Sequence, residues 1–176
     1  MTIRKTFACL AAAFLAASAL TVSAAETGEP PSEALGDAIR ASLAKTPNPG
    51  FPIGRDNVLY APYFSGKTFL APMTPAGVNI SAANVTFEPG AITRWHTHQK
   101  SCQVLVTVAG SGWYQIWGEK PVKLRPGMVA AIPENVKHWH GAAKDSWFQH
   151  LSVMTAGSGT TWLEPVDPKV YAALKD

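Results

Sequence analysis

All five histidines of this 176-residue chain fall between positions 96 and 150. His96 and His98 stand two residues apart, and His138 and His140 repeat the interval. On a strand, residues i and i+2 point to the same face, so each pair presents two imidazoles together. His150 belongs to the alternation Phe148, His150, Ser152, Met154, which places it on one face too. If these faces turn into one barrel, the imidazoles meet. Three imidazoles and an oxygen donor, with positions left open, describe a site for a divalent first-row metal. Singly, each histidine reads as a packing residue. Five of them on paired strand positions argue for an ion.

The elements that would position them begin near Ala61. From there, short runs rich in Val, Ile, Thr and aromatic residues are cut by Gly and Pro: VNISAANVTFEPG, QVLVTVAGSG, MVAAIPEN, SWFQHLSVM. Regular short strands with turn signals predict an all-β sandwich or barrel. Residues 61–160 are expected to form the barrel and residues 161–176 a C-terminal segment, with DPKVYAALKD as a short helix that has Pro168 in its first turn. Residues 26–60 read as a Pro- and Gly-rich extension. It holds one helix, SEALGDAIRASLAK, capped by Ser32.

The first 25 residues have another character. Arg4 and Lys5 precede the apolar run FACLAAAFLAASAL, and small residues follow up to Ala24 and Ala25. That is the pattern of a secretory signal peptide cleaved after Ala24 or Ala25. The run is short of the roughly 20 apolar residues of a membrane span. The expectation is a periplasmic or secreted protein with no membrane attachment after cleavage. Removing residues 1–25 takes Lys+Arg from 15 to 13 against 12 Asp+Glu, a net charge of +1. A nearly neutral surface makes no electrostatic case for nucleic acid. Cys102 is the single cysteine after residue 25, which excludes an intrachain disulfide. It is read as a buried residue on the face opposite Gln103.

The spacing of the histidines and glycines resembles that of the cupins. GAITRWHTHQKSCQVLVTVAG matches their first motif: Gly90, five residues, His96-x-His98, four residues, an acid position, six residues, Gly110. PGMVAAIPENVKH matches the second: Pro126-Gly127, five residues, Pro133, then His138. Two positions depart from the pattern. The acid is Gln103, and HWHGAA stands where a distal asparagine is usual. With VTFEPGA, VAGSGW and HLSV, these departures resemble the small bacterial manganese cupins with hydroxynitrile lyase activity, whose relatives are labelled carboxymuconolactone decarboxylase-like cupins. This chain has one more residue between His98 and Gln103 than that group usually has.

The resemblance implies a double-stranded β-helix, or jelly-roll barrel, to which the residue patterns add a short helix at either end. It implies His96, His98, Gln103 and His138 as ligands of one divalent metal, manganese foremost, with iron, nickel or zinc behind it. It makes His150 an active-site residue, and Ala83, Val85 and Met154 the lining of the substrate pocket. His140 shares a face with His138 and is read as a pocket residue that supports it. A small-molecule substrate is expected, and cupins commonly pair, so a homo-oligomer is expected too.

Gln103 has a chemical consequence. Three imidazoles and an amide are neutral, so the ion keeps its dipositive charge and is the stronger Lewis acid toward substrate oxygen. That favours cyanohydrin or aldol-type cleavage, with His150 as acid and base. Two rivals stand beside the lyase: a quercetinase-like dioxygenase, and a non-enzymatic cupin that binds a small molecule or metal. Trp95 and Trp139 flank inward histidines and should face out of the barrel, toward a second layer or a subunit contact.

Overall fold

The structure is a computed structural model that describes residues 51–175. The expected signal peptide and the helix at 32–45 lie outside the described residues. Strands come first from alternation. In β7 (Gln103–Gly110), every second residue from Gln103 is buried and its neighbours are half-buried. In β10 (Val129–Ile132), Ala130 and Ile132 are buried while Val129 and Ala131 are exposed. That is the signature of a sheet with one face on a core.

Two antiparallel sheets result. The first runs β1 (Arg55–Asp56), β3 (Thr68–Pro72), β4 (Ile80–Phe87), β12 (Phe148–Thr155), β7, β10. The second is built around β11 (His138–Ala142). One flank of β11 holds β5 (Ile92–Thr93) and β6 (His96–Gln99), and beyond them β2 (Phe64–Ser65) and β13 (Gly159–Trp162). The other flank holds β8 (Gly112–Ile116) and then β9 (Val122–Leu124). The two sheets face each other as a double-stranded β-helix, the expected fold. Pairing begins at Arg55 rather than Ala61 and runs to Trp162, past residue 160. The short terminal helix is present as α1 (Pro168–Ala172), with Pro168 in its first turn and the Asp167 side chain accepting from Lys169 N.

The turn between β7 and β8 depends on Gly110. Its φ is 68°, and a Cβ there would lie 1.7 Å from the Trp147 carbonyl oxygen. Only glycine meets both conditions at low cost. This turn keeps β7 on the first sheet and sends β8 to the second, so strands of both sheets bring side chains to one interior.

The interior is packed by Val85, Phe87, Leu105, Ile132 and Phe148, which are buried together. A second cluster lies behind the second sheet: Ile92, Trp95, Trp113, Trp139 and Val166, with Leu163, Tyr171 and Leu174 against it. Trp95 and Trp139 do leave the barrel interior, but they meet the chain's own C-terminal segment. They are 6 % and 0 % exposed, whereas Trp117 is 58 % exposed. A subunit contact through the first two is thereby corrected to an intrachain one. Cys102 corrects another expectation. It is exposed, because it precedes β7 at the turn after Lys100, whose φ is 64°, and nothing covers that corner as Gln103 is covered.

Candidate metal centre and its cavity

The register of β11 against β6 pairs His138 with His96. β6 also carries His98 and β11 carries His140, and the even spacing turns all four inward, where they are buried. Ring centroids of His96 and His138 are 4.1 Å apart, those of His96 and His98 5.0 Å, and those of His96 and His140 5.3 Å. His96, His138 and His140 each offer a ring nitrogen within 4.8 Å of the others. Such a trio could hold a divalent ion, and His98 lies outside it. His140, read from sequence as a pocket residue, thus reaches the trio as well as the cavity wall.

Hydrogen bonds decide which nitrogens are free. His96 Nδ1 lies 3.0 Å from Arg94 O and His138 Nδ1 lies 2.9 Å from Val136 O. A carbonyl only accepts, so each Nδ1 is the donor and each Nε2 keeps its lone pair. His98 Nδ1 meets Thr160 Oγ1 at 3.0 Å, and its Nε2 is buried with no partner. Gln103 Nε2 donates to Ser152 Oγ at 3.1 Å, which turns Oε1 toward His138 Nε2 at 2.9 Å. Two lone pairs then face one another across a hydrogen-bond distance, which repels unless they share a cation. A buried acceptor without a donor is costly. These orphaned and opposed acceptors fit an ion held by imidazoles and the Gln103 amide oxygen.

Burial also keeps the imidazoles neutral. It lowers His138 and His150 to about 4. It lowers His98 too, and takes His96 and His140 well below the ordinary value, with neighbouring histidines adding to the effect on both. Neutral imidazole is the metal-binding form, so at pH 7 no proton needs displacing.

A cavity of about 190 Å³ adjoins the cluster. Ala83, Val85, Met154, Gln103, His98, His140 and His150 all line it. Among the described residues, no Asp, Glu, Lys or Arg does. His150 is fully buried, 4.9 Å from His140 by ring centroids, and packed against Phe87 and Phe148 at 5.6 and 5.3 Å. Among the described residues, neither of its ring nitrogens has a hydrogen bond of normal geometry, the Leu151 backbone being a weak neighbour, nor has His140 Nδ1. A larger groove of about 380 Å³ lies outside the barrel between Trp95, Trp117, Val166 and Val170. Asp167, which caps α1, is its one ionisable lining residue, so it holds no comparable chemistry.

Sequence reasoning missed several residues here. Asn57 and Tyr60 line the cavity from the stretch between β1 and β2, Phe64 from β2 and Leu70 from β3. Thr160 and Trp162 come from β13. Thr160 holds His98, and the Trp162 ring lies 4.8 Å from His96 and stacks on Tyr63 at 4.8 Å. The signal was the two-residue interval in GTTW, which puts Thr160 and Trp162 on one face of a strand.

Comparison with known proteins agrees with this geometry. Residues 83–154 match the cupin domain. An (R)-mandelonitrile lyase from Granulicella tundricola is 37 % identical over 115 residues, covering 63 % of this chain and 87 % of that protein. A cupin-like protein from Thermotoga maritima matches with a TM-score of 0.65 and 32 % identity, over 70 % of this chain and 95 % of that one. All five histidines and Gln103 lie inside the matched span, on the two facing sheets of the double-stranded β-helix, and the chain belongs to the cupin superfamily.

Proposed function

We propose that this cupin is a metal-dependent lyase of the hydroxynitrile lyase kind, acting on a small hydroxylated or carbonyl substrate. The observation that carries the reading is His150: buried, neutral, without hydrogen-bond partners, and in the wall of the cavity that His98, Gln103 and His140 share. The similarity to a mandelonitrile lyase supports it.

His96, His98, Gln103 and His138 are the residues to hold one divalent ion, manganese foremost. With four neutral donors, such an ion supplies a Lewis acid for the substrate oxygen. Ala83, Val85 and Met154 give the substrate an apolar wall and keep water from the reacting bond. His150 stays unprotonated at neutral pH and enters as a base. It takes the hydroxyl proton of a cyanohydrin as the carbon–carbon bond breaks. The electron pair of that bond leaves with cyanide, and the proton on His150 passes to it, giving aldehyde and hydrogen cyanide. The same reading takes the chain as an exported, processed protein that works as a homo-oligomer.

The test is His150→Ala, with metal content and mandelonitrile cleavage measured on the same sample. The expected outcome is about one manganese per chain in both proteins and a loss of turnover in the variant of roughly 10²-fold or more. Unchanged turnover sinks the role of His150. Absence of metal after reconstitution sinks the lyase reading as a whole.

A further inference from the structure

The outer face of the first sheet carries aliphatic side chains that the proposed chemistry does not use. β7 turns Gln103, Leu105 and Thr107 inward, so Val104 and Val106 stand outside, half-buried. Strand register extends this surface as two rows. Ala82, Val153, Val104 and Ala131 form one, and Leu151, Val106 and Val129 the other. Val129 is 59 % exposed. The second row continues into Asn84, which pairs with Leu151. Asn84 Nδ2 donates to Pro52 O at 2.8 Å. The chain therefore enters the described region lying across this same face.

Fifty residues precede Phe51. Among them, residues 32–45 have a two-sided pattern at about 100° per residue. Leu35, Ala38, Ile39 and Leu43 share one side; Glu33, Asp37 and Arg40 share the other. We propose that residues 32–45 form an amphipathic helix whose apolar side covers the two rows, giving the barrel an α-layer of its own. The dimensions agree. Fourteen residues make a helix of about 21 Å, and four strands set their outer members about 14 Å apart. Residues 46–50 reach about 17 Å. A tether this short holds the helix at an effective concentration in the millimolar range, which favours it over a second copy of the chain. Helix on sheet is also a standard way to bury an apolar sheet face.

The test uses the full-length chain with Cys9 and Cys102 replaced by serine, carrying Ile39→Cys and Val106→Cys. A flexible bismaleimide is added at low protein concentration. The expected product is a link within one chain, seen as a monomer of raised mass that migrates anomalously. A link between two chains overturns the proposal in favour of a second copy as the occupant, and no link overturns docking altogether. Independently, Leu35→Asp with Ile39→Asp should lower the melting temperature by roughly 3–6 °C, while Arg40→Asp leaves it unchanged. Metal content should be the same in all three proteins. Equal melting temperatures would also overturn the proposal. None of these outcomes depends on the lyase reading.

Discussion

Inside the barrel, Phe87 and Phe148 pack against His140 and His150 and leave ring nitrogens without partners. Behind the second sheet, Trp95, Trp113 and Trp139 lie under the C-terminal segment, and two polar groups there are paired. Trp139 Nε1 donates to Gln115 Oε1 at 2.8 Å, and Tyr171 OH donates to Ala142 O at 2.9 Å. β11 serves both sides, with His138 and His140 facing in and Trp139 facing out. Most buried polar groups in proteins are satisfied, so unsatisfied ones mark places where something else is held. One side of the strand is built for stability. The other keeps buried, unpaired lone pairs at a stability cost, in a place where an ion and a substrate can use them.

The largest effect should come from the satisfied side. Trp139→Ala removes a fully buried indole and strands Gln115, and should cost about 4 kcal/mol of stability in urea unfolding. A cost as small as that of Trp117→Ala, which removes an exposed ring, would erase the distinction between covered and open tryptophans.

The unsatisfied side should govern the response to acid. His150 has a folded-state value of about 4 against 6.5 for an ordinary histidine. Between those values the unfolded chain binds a proton that the folded chain does not, so stability falls as pH falls through the window and levels off near pH 4. For His150 the loss is about 2 kcal/mol from pH 6.5 to about pH 5. Urea unfolding of metal-free protein at several pH values checks this. His150→Phe should remove one proton's share of the slope and leave that of His96, His98, His138 and His140, and Trp139→Ala should leave it intact. An identical slope in His150→Phe would assign the acid sensitivity elsewhere.

The smallest effect concerns Thr160. Thr160→Val keeps the shape of β13 but removes the hydroxyl that meets His98 Nδ1. Metal affinity should weaken roughly tenfold, read by competition with a chelator, with little change in stability. Unaltered affinity would mean that His98 is oriented by packing alone.

The interior of this site was legible in the sequence because alternation is local. Two-residue intervals at His96, His98, His138 and His140 state which residues share a face; the burial of β6 follows them, while β11 is buried on both faces. What covers a face is not local. Trp95 and Trp139 read as outward-facing, and they are, but alternation could not choose between a second layer and a subunit; the cover comes from Leu163, Val166 and Tyr171 further along the chain. β13 was missed because GTTW is short and lacks an apolar alternation; it is a strand by virtue of pairing with β6. Cys102 was read as buried from its residue type, while its place at a turn left it exposed.

The contact between Trp162 and His96 gives the site an optical reporter of its own. An indole 4.8 Å from an imidazole is close enough for charge or unpaired electrons on that imidazole's partners to alter its emission. Fluorescence of Trp162, with the other five tryptophans changed one by one to phenylalanine, would register acid titration of the cluster. It would also separate a paramagnetic ion, which quenches strongly, from zinc, which does not. The residue that walls the cavity thus makes events at its floor visible without any label.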